Sequence, residues 1–298
     1  MAGSAPHGWI RWHELVRRPV ILAFALGMAL VAACAPPPAV GGAPPPRGPA
    51  PPGSPHLALG EPRDADPSDD LVLDHRVFVL SFNSRRQVPN WVAWRLVAED
   101  LGEAPRSGAF HADELLPPGI PGPRPRDYAR SGFERGHMCP SGDRTVTEAA
   151  NEETFVMTNM QPQRHALNAG PWEGLERFER SLATAGQQLF VVAGGVFDEQ
   201  PATLASGIAV PRASFKVIVA LAPGEDAADV TASTTTYAVI MPNSADVAGT
   251  RWFDHLVSID EVERQSGYDF LTRVAPDTQA RLEPVPATVP PILSPGAP

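Results

Sequence analysis

The chain has 298 residues, 43% of them hydrophobic, and a formal net charge of −10 from 24 basic and 34 acidic side chains. That is enough apolar content for one large domain or two small ones. The acidic balance excludes a protein that grips polyanions through bulk charge, because non-specific phosphate affinity comes from neutralising side chains. Contact with a polyanion therefore has to rest on a local cluster of arginines.

The N-terminus reads as a targeting segment and stands apart from the fold. Arg11, Arg17 and Arg18 form a basic region, followed by an apolar run from Pro19 to Ala33. That run is too short for a comfortable transmembrane helix. It ends in Leu30-Val31-Ala32-Ala33-Cys34, which resembles the lipobox of bacterial lipoproteins and would make Cys34 the lipidated first residue. An ordinary signal peptide cleaved near Ala33 or Ala35 is the other reading. The first 34 residues carry a net +2, leaving −12 on the remainder. Residues 35–55 hold ten prolines in 21 positions, a composition that favours extended polyproline conformations and buries no core. With the acidic stretch from Asp64 to Asp70 it forms a predicted linker. The expected organisation is a signal peptide over 1–33, a linker over 34–70, a globular functional domain over 71–282 and a disordered proline-rich tail over 283–298.

Within the body, Arg76–Phe82 and Val88–Val97 are β-rich runs around a polar Asn83-Ser84-Arg85-Arg86 turn, and they predict a hairpin. A Gly- and Pro-rich loop follows over 102–131. Thr154–Thr158 predicts a short apolar strand. Pro171–Ala185 predicts a helix with Trp172, Leu175, Phe178 and Leu182 on one face, Pro171 in its first turn and Gly186 closing it. Leu189–Ala193, Gly207–Val210, Phe215–Leu221 and Thr235–Met241 predict further strands. Ser258–Gln265 predicts a second helix that opens on a capping-box pattern, Ser258 with Glu261. The order of elements implies an α+β domain built on one antiparallel or mixed sheet with helices packed against it.

The chemistry-bearing stretch is Glu134-Arg135-Gly136-His137, followed by Asp143-Arg144-Thr145. On an extended segment residues i and i+2 share a face, so Arg135 and His137 can address one phosphate. The glycine between them permits close approach by a substrate or another part of the chain. Histidine titrates near neutrality and suits a general base. The seven other histidines lack such a context and are assigned structural roles. The single lysine, Lys216, leaves nearly all other basic positions to arginine, which suits bidentate phosphate contacts and fits a compositional bias equally well. Cys139 reads as a small buried hydrophobe.

Downstream come Thr158-Asn159-Met160-Gln161-Pro162-Gln163 and Leu167-Asn168-Ala169-Gly170-Pro171-Trp172-Glu173-Gly174-Leu175-Glu176. With the histidine motif, these blocks resemble the sugar-non-specific DNA/RNA endonucleases, the family that includes endonuclease G. The likeness runs from about Arg76 through Leu271. It implies a ββα-metal nuclease fold with a central, mostly antiparallel sheet flanked by helices. It also implies hydrolysis of DNA and RNA to 5′-phosphate products with one hydrated Mg²⁺, or Mn²⁺ as an alternative. By the resemblance His137 is the general base and Arg135 stabilises charge on the reacting phosphate. Asn168 is the direct metal ligand, and Glu176 orients a water of the cation's hydration shell. Arg106 and Arg180 bind substrate phosphates. Asn168 also reads as a plain helix N-cap, and Glu176 with Arg180 as an ordinary i,i+4 ion pair. Asp143-Arg144 is expected to brace the loop.

Glu134 stands where the family usually has Asp; the added methylene keeps the charge but moves the carboxylate, a departure that bears on the loop carrying His137 and on efficiency more than on reaction type. The expected partners are DNA and RNA, read through the backbone, and a membrane reached through the lipid anchor at Cys34. The expected place is the bacterial cell envelope, facing the periplasm or the exterior. The rival reading is a catalytically silent, envelope-tethered nucleic-acid-binding lipoprotein.

Overall fold

A computed structural model describes residues 53–288 of the chain. Cys34, the segment before it, the proline-rich stretch through residue 52 and residues 289–298 lie outside the described residues. Among those described, no helix is long and apolar enough to cross a membrane.

The strands in chain order are β1 (Leu71–Asp74), β2 (Val79–Asn83), β3 (Val88–Leu96), β4 (Glu134–His137), β5 (Met160–Gln163), β6 (Gln188–Val196), β7 (Ala213–Leu221), β8 (Thr235–Pro242) and β9 (Leu256–Val257). The helices are α1 (Glu148–Glu153), the single turn α2 (His165–Leu167), α3 (Glu173–Thr184), α4 (Ile259–Ser266) and α5 (Pro276–Leu282). Seven strands form one antiparallel sheet in the order β1-β2-β3-β6-β7-β8-β9, and β4 pairs with β5 in a separate two-stranded sheet. The α+β expectation, with a mostly antiparallel central sheet and flanking helices, is met.

Period-two alternation assigns the side chains to two cores. On one face Trp94, Val191, Ile218 and Val239 meet Trp172, Leu175 and Ala183 of the α3 region. On the other, Trp91, Phe215, Val217 and Val219 meet Ile259 and Val262 of α4 and Leu282 of α5. Strand β7 is buried along its whole length because both faces are covered.

The predicted hairpin is β2–β3, and its turn is tied by Asn83 Oδ1, which accepts from the backbone N–H groups of Arg85 and Arg86. The predicted helix over 171–185 is α3, ended by Gly186 in a left-handed conformation (φ 92°). α4 begins at the N-cap Ser258, whose Oγ accepts from the Glu261 N–H; Glu261 turns its own carboxylate to Arg264 and Gln265 and leaves the capping box half-formed.

Four expectations require correction. Thr154–Thr158 is no strand: α1 ends there, Val156 makes one isolated bridge to His111, and a 3₁₀ turn spans Met157–Asn159. A short apolar run buried on all sides carries no periodicity to separate strand from turn. Gly207–Val210 contributes only an isolated bridge, Thr203 to Ala209, beside a turn closed by the Gly207 N–H on the Leu204 carbonyl. The predicted linker also gives up its last third to the body. Leu57 and Leu59 enter the second core, Arg63 bridges Asp269, and Asp69 and Asp70 accept hydrogen bonds from Asn83, Asn90 and Ser81. Its acidic composition suggested solvent, but these carboxylates meet amides and hydroxyls at the sheet edge. At the other end Glu283, assigned to the tail, is buried at 6% exposure and completes the packing after α5.

Candidate active site

β4 and β5 pair in regular register, Glu134 with Gln163 and His137 with Met160. β5 leads through α2 and a π-turn (Asn168–Trp172) into α3, which closes a ββα unit. Such π-turns commonly mark functional positions. Here the kink at Gly170 separates Asn168 from the helix proper. Asn168 is therefore not an N-cap; its backbone is helical, and its N–H donates to the Arg164 carbonyl.

A cleft of about 390 Å³ opens above this unit. Its lining includes Arg106, Arg135, His137, Asn168, Glu176 and Arg180, so every site residue predicted within the body meets in one place. Arg135 and His137 share a face, as the alternation of an extended strand requires. The glycine between them has a tertiary cause: a Cβ on Gly136 would lie 2.1 Å from Oε1 of Gln163. The close approach inferred from the sequence comes from the neighbouring strand.

His137 is 7% exposed and sits between the rings of Phe110 and Phe155, with centroids 5.5 Å and 4.9 Å away. Its Nε2 is buried and has no hydrogen-bond partner among the described residues. Burial, reinforced by the Arg106 and Arg135 charges, lowers its pKa to about 3, so the imidazole is neutral and able to accept a proton. Its backbone is held firmly. Asn159 accepts from the Cys139 N–H through Oδ1 and donates through Nδ2 to the Cys139 and Thr154 carbonyls, and Trp172 Nε1 donates to the His137 carbonyl.

The arginines are held from behind. The Arg135 guanidinium lies 4.2 Å from the centre of Phe110, and that of Arg106 lies 5.0 Å from Phe155. Arg106 Nη1 donates to Ser141 Oγ. Arg180 pairs with Asp143 at 3.1 Å, not with Glu176. Asp143 is fully buried and also accepts from Trp94 Nε1 at 3.0 Å. Arg144 turns inward to the carbonyls of Val77, Arg95 and Asp143, which confirms the bracing role expected of this pair.

Asn168 Nδ2 donates to Glu134 Oε2 at 2.7 Å, while Glu134 Oε1 takes Nδ1 of His165 at 2.8 Å. A carboxylate only accepts, so this contact settles which end of the Asn168 amide faces Glu134. The Asn168 carbonyl oxygen accepts no hydrogen bond from the described residues and is left for the cleft. Burial opposes the Glu134 charge, but these two donors hold its carboxyl below the ordinary range. The β4–β5 ladder stays regular through Glu134 and His137. Glu134 spans two partners. Glu176 opens onto the cleft with protein packed around the rest of it; burial raises its pKa to about 7, with Lys216 the main opposing charge.

Ser141 and Asn151, which no sequence motif singles out, also line the cleft. Asn151 Nδ2 donates to the Ser141 carbonyl, and its Oδ1 accepts from the Ser107 N–H, tying the Arg106 loop to the turn after β4. The available signal was Thr147 ahead of a helix-forming run; its hydroxyl caps α1. Cys139 is buried and its thiol pKa is pushed well up by desolvation, as expected of a structural residue.

Residues 60–277 match the pattern of the DNA/RNA non-specific endonucleases. A nuclease of Nostoc sp. is 38% identical over 235 residues, covering 76% of this chain and 84% of its own. Mitochondrial endonuclease G of Bos taurus is 30% identical over 288 residues, covering 91% and 90%. A chain in the crystal structure of the EndoG/EndoGI complex superposes with a TM-score of 0.63 at 29% identity, covering 75% of this chain and 92% of that one. Motif, ββα unit and cleft thus converge with relatives along most of the chain, which belongs to the DNA/RNA non-specific endonuclease family and is a hydrolase of that class.

Proposed function

We propose that the chain is a metal-dependent, sugar-non-specific endonuclease that cuts DNA and RNA to 5′-phosphate products, with His137 as general base. One observation carries the reading: a neutral, desolvated imidazole lines a cleft beside Arg106 and Arg135.

The donor set fits a hard divalent cation. The Asn168 carbonyl oxygen is freed by the Glu134 contact, Glu176 lies in the same cleft, and oxygen donors with retained waters suit Mg²⁺, with Mn²⁺ as an alternative. Mg²⁺ bound there supplies Lewis-acid stabilisation of charge on the phosphate and on the leaving 3′ oxygen. Arg106 and Arg135 hold the scissile phosphate, and Arg180 supplies a further phosphate contact. That phosphate offsets the two charges that depress His137, so substrate binding raises the basicity of the imidazole. His137 takes a proton from water as the water oxygen bonds to phosphorus. The bond from phosphorus to the 3′ oxygen breaks, the 3′ oxygen takes a proton from solvent to become a hydroxyl, and the phosphate stays on the 5′ oxygen of the downstream nucleotide. Glu176 accepts from water in the cleft and fixes its orientation. The contacts are to phosphate, which DNA and RNA share.

The full chain should linearise and degrade supercoiled plasmid and cut RNA in Mg²⁺, with EDTA stopping both. Its DNA products should be extended by a polymerase without prior end treatment. Binding without cleavage under the same conditions would favour the silent nucleic-acid-binding lipoprotein. The lipid anchor at Cys34 and the envelope location belong to this proposal and rest on the Leu30–Cys34 pattern; palmitate should label the chain in cells and fail to label Cys34→Ser.

Glu134→Ala releases the Asn168 amide. Loss of a partner that orients a ligand typically weakens metal affinity about 10–100-fold. The Mg²⁺ concentration giving half-maximal cleavage should rise within that range; an unchanged value would remove Glu134 from the metal's support.

A further inference from the structure

Among the described residues, a carboxylate cluster lies at the sheet face opposite the cleft. α4 carries Asp260 and Glu263, and Glu283 follows the last residue of α5. One oxygen from each of the three carboxylates lies within 4.8 Å of the others. Two oxygens on a single calcium ion at about 2.3–2.6 Å can be no more than about 5 Å apart. The three groups are therefore already gathered to the span that one such ion allows.

Two of the three have ordinary explanations. Asp260 sits in the first turn of α4, where negative charge is favoured by the helix dipole. Glu263 accepts from the Phe270 N–H at 2.9 Å. Glu283 has none: its side chain is buried, residue exposure is 6%, and Oε1 finds no donor among the described residues. A buried, unpaired carboxylate is costly. The charged groups acting on it are Glu263, Asp260 and Asp269, all acidic. Burial first, and then these like charges, raise Glu283 to about 8, and burial raises Glu263 to about 7. The Asp260 N–H reaches the Glu283 carbonyl at 3.3 Å, so backbone contact fixes the spacing of the two segments.

We propose that Asp260, Glu263 and Glu283 form a structural site for a calcium-class divalent cation, which clamps the end of α5 onto α4. The donor chemistry selects the ion. Three carboxylates without histidine or cysteine favour a hard cation over zinc or copper. Three converging protein carboxylates around one ion suit calcium better than magnesium, which keeps most of its waters and usually takes one or two carboxylates. Asp260 is exposed, so water has access to the remaining positions. The site is separate from the cleft, since α4 and α5 pack on the opposite core.

The test uses full-length chain carrying Asn168→Ala, which disables the cleft's own cation ligand. After EDTA stripping, calcium at about a hundredfold above its Kd should raise the thermal midpoint by about 5–10 °C. Adding Glu283→Gln should abolish that rise, and Asp260→Asn should shift the calcium requirement upward at least tenfold. Glu283→Gln alone should cut plasmid as well as wild type. No calcium response in the Asn168→Ala chain, or an equal response with Glu283→Gln, would overturn the site. Should Glu283→Gln fail to fold, an unchanged calcium requirement in Asp260→Asn would overturn it equally.

Discussion

His137→Ala lowers plasmid turnover by about 10²–10⁴-fold, the range typical of general acid–base catalysis, with the thermal midpoint little changed. The ring contributes contacts with Phe110 and Phe155, but its Nε2 has no partner to lose. A large loss of rate on an intact fold is therefore the signature expected of a base. The pH profile adds a second reading. His137 is held near 3 and stays neutral above that, so it does not set the acid limb in the free enzyme. Glu176, raised to about 7, is the group that must lose a proton, and the rate should climb with pH toward that value. A bound cation favours the carboxylate and moves this limb to lower pH. Glu176→Gln should flatten it. A His137→Ala enzyme that cuts as fast as wild type would end the assignment.

Lys216→Met destabilises the fold by about 3–5 kcal/mol, the usual cost of stripping one partner from a buried ion pair. Lys216 Nζ lies 2.9 Å from Glu179, both side chains fully buried, and 4.6 Å and 5.3 Å from the ring centres of Trp172 and Trp94. Removing the lysine leaves the fully buried Glu179 carboxyl without its cation and deprives Glu176 of its main opposing charge. Burial holds the Glu179 carboxyl above its ordinary range, with Lys216 opposing the shift. A raised folded-state pKa gives stability that is complete below the unfolded value and lost as pH rises through the folded one. Urea unfolding should accordingly show a larger deficit at pH 8 than at pH 5.5. Lys216→Met with Glu179→Met should recover most of the loss, since apolar replacement of a whole buried pair is often neutral. A single variant within about 1 kcal/mol of wild type at pH 8 would refute the pair's structural role.

Lys216 also shows where sequence reading stops. As the chain's one lysine it could be counted but not placed. Its even position on β7 puts it with Ile218 toward α3, and only the packing of that helix supplies Glu179 and the two indoles. Arg180 is a similar case. Helical spacing offered Glu176 as its partner, yet the carboxylate it meets belongs to Asp143, 37 residues earlier. The Glu134 departure was visible as a substitution, but its consequence depends on where α2 and the π-turn bring His165 and Asn168.

Sequence alone determined the features that local geometry controls. Alternation put Arg135 and His137 on one face, the apolar stripe and terminal glycine located α3, and the ordered motif blocks identified the family. Tertiary structure decided what sits opposite those faces: Gln163 across Gly136, Glu134 beneath Asn168, and residues 57–70 on the sheet instead of in the linker. The physical reason is that dihedral preferences and side-chain periodicity are set by near neighbours. Each of these contacts joins segments brought together by burial of the two cores, which no local pattern specifies. So the Arg–Gly–His motif pointed to the family in the sequence, while the packing supplied the Glu134–Asn168 contact and the burial of His137.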